Sequence, residues 1–185
     1  VMRRVREIEE DRETLVLPLL EQLRQPPTSG ARLRAGAQIA LEAGAFGEAK
    51  TLAEAALEGL PDRTRRGFLT ALARQAQEVS AMEVALWAYE TLREDAADGA
   101  ETRALDQRIT DAALATGDTV RALEAQQLIA DDLPKGSIER EQALAEIIRI
   151  GIERGGVGTR GLLEAFREEF PDAPQVDEFL MTLAV

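Results

Sequence analysis

The chain contains no cysteine and no histidine. Disulfides, thiolate nucleophiles, imidazole bases and the usual zinc ligands are therefore all missing. Aromatic residues make up only 4% of the sequence against 45% hydrophobic residues, so a core has to be assembled from small aliphatic side chains. Cations are in deficit: 22 Lys+Arg face 34 Asp+Glu over 185 residues, a formal charge of −12. Nucleic-acid binding depends on neutralising phosphates with Lys and Arg, and adhesion to an anionic membrane on basic segments, so neither is expected. No run approaches the roughly 18 apolar residues of a membrane span. The start, Val1-Met2-Arg3-Arg4, leads into charged sequence without the apolar centre of a signal peptide. Its first residue is Val, from which we expect a processed or trimmed chain.

Strand signals are lacking too. Val, Ile and Thr nowhere alternate with polar residues over a useful length. Ala, Leu, Glu, Arg and Gln dominate, all good helix formers. Helix breakers interrupt them at Pro26-Pro27, Gly44, Pro61, Gly99, Gly117, Pro134, Gly155-Gly156 and Pro171. The pattern predicts short helices of about 12–16 residues with short connections. It is also periodic. Gly44 to Pro61 and Gly117 to Pro134 are both 17 residues, Pro61 to Pro134 is 73, and Pro134 to Pro171 is 37. The position skipped between Pro61 and Pro134 falls at Ala97, beside the turn signal Asp98-Gly99. Such a period implies stacked helix pairs.

Ala40-Leu-Glu-Ala-Gly44-Ala-Phe-Gly-Glu-Ala49, continuing through Ala53, Ala56-Leu57 and Pro61, resembles a tetratricopeptide repeat. Ala115-Thr-Gly117-Asp-Thr-Val-Arg-Ala122, with Ile129 and Pro134, follows the same template. Gly tolerates the left-handed turn between antiparallel helices. Ala37, Ala49 and Ala56 let the axes approach, and Pro ends the second helix because it cannot extend the hydrogen-bond ladder. A second, degenerate unit carries Ser80 at its turn, where Ser80-Ala-Met-Glu83 reads as a capping box, with Ala85 at the small contact position and Trp87 or Tyr89 adding bulk. A fourth departs further: its small position falls at Thr159 or Arg160, and its turn reads Gly155–Gly161.

The resemblance implies an all-α, right-handed α-solenoid of antiparallel helix pairs, a TPR-like superhelix with about four repeat-like units plus flanking helices. The units span 30–61, 66–97, 103–134 and 140–171 within 30–171, after an N-terminal capping or linker helix in 1–29 and before a C-terminal helix in 172–185. Residues 2–25 read as one helix with Val5, Ile8, Leu15, Leu19 and Leu23 at mostly helical spacing, kinked or restarted at Pro18. A cap on the first repeat is its first reading; helix B of an earlier repeat or a coiled coil are the others. Phe166–Ala184 is similar to repeats of periplasmic and outer-membrane assembly lipoproteins of bacteria. The expected setting is the bacterial cytoplasm or periplasm, leaning to the cell envelope if a signal has been removed.

Motifs of chemistry reduce to structure. Gly156-x-Gly158-x-x-Gly161 satisfies the dinucleotide pattern, but that pattern works only between a strand and a helix, and an amphipathic helix precedes it here. We expect an inter-helix turn. Carboxylates such as Glu7, Glu9, Glu10, Asp11, Asp131 and Asp132 fall on charge-rich helix surface, and Asp95-x-x-Asp98-Gly99 lacks the alternating ligands of a calcium loop. No catalytic, cofactor-binding or metal residue is assigned.

In such repeats the first helices line a concave groove. The register places Arg34, Gln38 and Glu42 there in the first unit, Thr70, Arg74 and Gln77 or Glu78 in the second, and Gln107, Arg108 and Asp111 in the third. Three arginines on one surface of an acidic chain suit a carboxylate. The family's clamp for a peptide C-terminus is matched loosely by Arg34, Gln38 and Arg108, with Ala71 and Ala104 replacing polar members, so that activity is not expected. The function implied is non-catalytic binding of a protein or peptide, such as an acidic segment or C-terminus, as a scaffold or adaptor. The alternative is a structural oligomerisation domain of a larger bacterial protein, joined through the N-terminal helix or the apolar C-terminus; a homo-oligomer is compatible with either.

Overall fold

Helix formers between periodic breakers give ten α-helices in the computed structural model, which describes residues 16–25, 29–153 and 158–183; no strand forms among them. They are α1 (Leu17–Arg24), α2 (Gly30–Glu42), α3 (Phe46–Leu57), α4 (Asp62–Glu78), α5 (Met82–Glu94), α6 (Gly99–Thr116), α7 (Thr119–Asp132), α8 (Ile138–Glu153), α9 (Thr159–Glu169) and α10 (Gln175–Leu183). The fold is all-α. The expectation of one helix over residues 2–25 falls largely outside the described residues. What is described places Pro18 in the first turn of α1, where its missing N–H costs nothing.

Three inter-helix turns share one backbone signature. After α2, the Gly44 N–H donates to Leu41 O (3.0 Å) and the Ala45 N–H to Ala40 O (2.8 Å). After α4, Ser80 donates to Gln77 O (3.1 Å) and Ala81 to Ala76 O (2.7 Å). After α6, Gly117 donates to Leu114 O (3.0 Å) and Asp118 to Ala113 O (2.8 Å). The turn residues lie at φ 71°, 60° and 79°, the left-handed cap that satisfies orphan carbonyls at a helix end. They stand 36 and 37 residues apart. Ser80 therefore takes the place of the glycines. This corrects the capping-box reading of Ser80-x-x-Glu83: a residue held at positive φ closes the helix before it, and α5 starts only at Met82.

Counting from these turns, Ala49, Ala85 and Ala122 occupy one position, and each is fully buried. So are Ala40, Ala76 and Ala113, one turn before the glycine or serine. Small side chains at both places let the paired helices approach closely, which suits a chain with few aromatics. In the fourth pair the corresponding residue is Thr159, 1% exposed, whereas Arg160 is exposed. Gly158 (φ 81°) precedes the first residue of α9, and Gly161 lies inside that helix.

The chain divides into two compact units at Leu92/Arg93. In the first, α2 packs on α1, α3 and α4. Buried Leu20, Leu41, Leu52, Leu69 and Leu72 fill the space beside the alanine seams, each contributing about 1.5–3 kcal/mol by burial. The Tyr89 hydroxyl joins α5 to α4 by donating to Gln77 Oε1 at 2.7 Å. Trp87 sits half-buried with the Lys50 ammonium of α3 5.9 Å from its ring centroid, so both large polar aromatics serve packing within this unit.

In the second unit, α6 packs on α7, α7 on α8, and α8 on both α9 and α10. Its aromatic centre is Phe166, whose ring centroid lies 5.5 Å from that of Phe170 and 6.2 Å from that of Phe179. Ala145, Ile148, Leu163 and Val176 complete that cluster. Arg140 ties three helices: it donates to Ala130 O at the end of α7 and, 2.9 Å away, to the Glu169 carboxylate of α9. Asp98 and Asp118 cap α6 and α7 by accepting from Glu101 N (2.9 Å) and Arg121 N (3.1 Å).

Candidate binding surface

The first helix of each of the first three pairs spends one face on its alanine seam and presents another outward. On α2, Gln38 and Glu42 are exposed and Arg34 half-buried; on α4, Thr70 and Arg74 are exposed and Gln77 half-buried. Because α2 and α4 pack on each other, these two stripes belong to one unit. A hydrogen bond from Gln75 Nε2 to Glu42 Oε1 (3.2 Å) bridges them.

Several of the polar groups are already engaged. Arg74 pairs with Glu78 on its own helix at 3.2 Å. Thr70 Oγ1 donates to Arg66 O at 2.8 Å, and Gln77 is held by Tyr89. Arg34 has no ion-pair partner among the described residues. Gln107, Arg108 and Asp111 are exposed on α6 of the second unit, where Gln107 Nε2 donates to Asp111 Oδ1 at 3.0 Å and leaves Arg108 unpaired among the described residues. The structure thus packs α2 on α4 within the first unit, and the α6 trio belongs to the second.

Two clefts lie apart from these stripes. One of about 430 Å³ runs along α1, α2 and α3, lined by Arg24, Gly30, Leu33, Thr51, Ala55 and Glu58. The other, about 330 Å³, lies between α9 and α10 and is lined by Arg160, Leu163, Glu164, Arg167, Leu180 and Leu183. The sequence reading passed over the second, although Arg160, Leu163 and Arg167 recur at the spacing of one helix face.

It also passed over a buried polar set in the second unit. Asp106 (side chain 3% exposed) is ion-paired with Arg93 (34% exposed). One turn on, the buried Thr110 hydroxyl donates to Asp106 O at 3.0 Å and lies 3.4 Å from Gln126 Oε1. A charged residue on an otherwise apolar helix face was the available signal.

The Glu169 carboxyl is displaced from its ordinary value. Burial pushes it up, but the Gly136 N–H, the Arg140 hydrogen bond and the charges of Arg140 and Lys135 outweigh that and leave it below the ordinary carboxylate range. Among the described residues, no group of three or more acidic side chains is placed to hold a metal ion, and no helix is long and apolar enough to cross a membrane. No protein-family model matches the chain, and no curated protein matches it in sequence.

Proposed function

We propose that the chain is a non-catalytic binding scaffold of the tetratricopeptide-like class, its helix pairs stacking as a right-handed solenoid. The observation that carries this is the turn signature repeated at Gly44, Ser80 and Gly117, with a buried alanine five residues after each. Hairpins of one geometry at a regular period are units that bury their apolar faces on one another and leave the outward faces of their first helices for a ligand. The ligand is a protein or peptide with an acidic segment or C-terminus. Arg34 and Arg74 supply charge-assisted hydrogen bonds from α2 and α4, and Gln38 and Thr70 flank them. Arg108 extends the same chemistry on α6. No nucleic acid and no anionic membrane surface enters this reading, because the net charge of −12 opposes both.

Random dodecapeptides displayed on phage, selected on the immobilised chain, test it. Enriched peptides should carry clustered carboxylates. Their affinity should fall about tenfold or more in Arg34→Ala/Arg74→Ala, since two charge-assisted bonds are lost. Failure to enrich any sequence, or binding indifferent to both substitutions, would remove these stripes as the site.

A further inference from the structure

We propose that the second unit associates head to tail with a second copy of this chain, the outer ridge of α7 from one copy entering the α9–α10 cleft of the next. The inference stands independently of the scaffold reading, which concerns other helix faces.

The cleft has a distinct chemistry. Arg160, Leu163, Glu164 and Arg167 share one face of α9, and Leu180 and Leu183 of α10 form the opposite wall. Leu163 is its buried floor, whereas Leu180 is 45% exposed. Both arginines are exposed and neither has an ion-pair partner among the described residues. With Glu164 between them the cleft still carries an excess of positive charge, on a chain whose total is −12. An apolar trough flanked by two guanidiniums calls for a helix that offers apolar side chains with two carboxylates beside them.

Helix α7 offers that. Its inner face is spent on the core through Ala122, Ala125, Ile129 and Ala130. Its outer face brings Val120, Glu124, Leu128 and Asp131 into one narrow ridge. Val120 is 50% and Leu128 46% exposed. Arg121, at the margin, is paired with Asp118 at 4.0 Å. Glu124 and Asp131 are seven residues apart, as are Arg160 and Arg167, a distance of about 10 Å along either helix. Two carboxylates therefore match two guanidiniums while Leu128, lying between the acids, faces Leu163 and Leu180. Within one chain α8 packs between α7 and the α9–α10 pair, so the ridge cannot fill its own cleft. Association through two different surfaces is heterologous and propagates beyond a dimer.

The test is sedimentation velocity on the full chain from about 10 μM to 1 mM at low salt, a range suited to a single-helix contact. Wild type should gain mass with concentration, past the dimer, and lose that gain as salt screens the charges. Arg160→Glu/Arg167→Glu and Glu124→Arg/Asp131→Arg should each be monomeric. All four positions are exposed, so circular dichroism should show both variants folded; Leu128→Gln should weaken association without altering charge. In an equimolar mixture of the two charge variants each cleft meets a ridge of opposite charge on the other variant, so the mixture should regain association, the two variants alternating. A wild type monomeric throughout, an oligomer that the charge variants leave intact, or a mixture that stays monomeric would overturn the proposal. A monomeric wild type whose cleft instead took up an acidic amphipathic helix of another protein would count against self-association in the same way.

Discussion

Gly151 of α8 and Thr159 of α9 meet more closely than any other glycine contact described. A Cβ added at Gly151 would lie 2.7 Å from Thr159 Oγ1, 3.3 Å from its Cγ2 and 3.5 Å from its Cβ. Thr159 is fully buried, which leaves it little room to move aside, and among the described residues its hydroxyl has no hydrogen-bond partner. Gly→Ala inside a helix ordinarily stabilises by up to about 1 kcal/mol. Overpacking a buried contact costs about 1–3 kcal/mol. The clash wins, and Gly151→Ala should be net destabilising by about 1–2 kcal/mol. Thr159→Ala changes the balance, because it installs the alanine already found at positions 49, 85 and 122 and removes an unsatisfied buried oxygen. In that background Gly151→Ala should become stabilising, which gives the double-mutant cycle a coupling of about 1–3 kcal/mol. Urea unfolding of the four proteins measures it. Additive effects, or a Gly151→Ala protein as stable as wild type, would refute the contact.

Ser80→Gly should stabilise by about 1 kcal/mol, since the left-handed conformation is strained for serine, and thermal melting should rise by about 2–4 °C. Ala49→Leu and Ala122→Leu should each destabilise by about 1–3 kcal/mol through overpacking at equivalent seams; equal loss at both sites in urea melts is the signature of a shared register. Glu169→Gln should be less stable than wild type at neutral pH, by about 1 kcal/mol given partial exposure. Because folding lowers the Glu169 pKa, its contribution is complete above the ordinary glutamate value and lost as pH falls through the lowered one. The gap between the two proteins should therefore close on acidification, which unfolding curves at a series of pH values will check.

Periodic breakers and small residues made the helix pairs legible, because a turn glycine and its buried alanine are local chemistry at fixed spacing. Ser80 was misread because Ser followed three residues later by Glu is a common helix start, and only its distance of 36 residues from Gly44 marks it as a turn residue. Thr159 and Arg160 could not be separated on type, since a single residue of register decides which is buried. Gln77 looked free because its partner Tyr89 lies on the next helix. The outward stripe also fails in the fourth pair. There Leu144, Ile148 and Ile152 follow the spacing of the α2 and α4 polar residues, but they are apolar and pack against the cluster containing Val176 and Phe179 of α10.

Pairs built on nearly identical alanine seams raise a problem of identity, since any first helix could settle on the wrong neighbour at little cost in packing. The polar set of the second unit bears on it. Counting from the turns, Asp106 stands where the other pairs have Leu33 and Leu69, Thr110 where they have Ala37 and Ala73, and Gln126 where they have Ala53 and Tyr89. Arg93 stands where α3 has Leu57 and α7 has Ala130, while α9 again carries an arginine, Arg167. Asp106 has no acidic counterpart at Leu33, Leu69 or Ala143, so among the described residues the other pairs do not repeat the Arg93–Asp106 ion pair. A slip by one repeat would set Asp106 beside Leu57, burying a carboxylate without a guanidinium, at a cost of about 3–5 kcal/mol. Replacing the pair by two leucines would remove that penalty along with the pair, and packing alone would then have to tell one junction from the next. Its contribution is greater to which helices meet than to how tightly they hold.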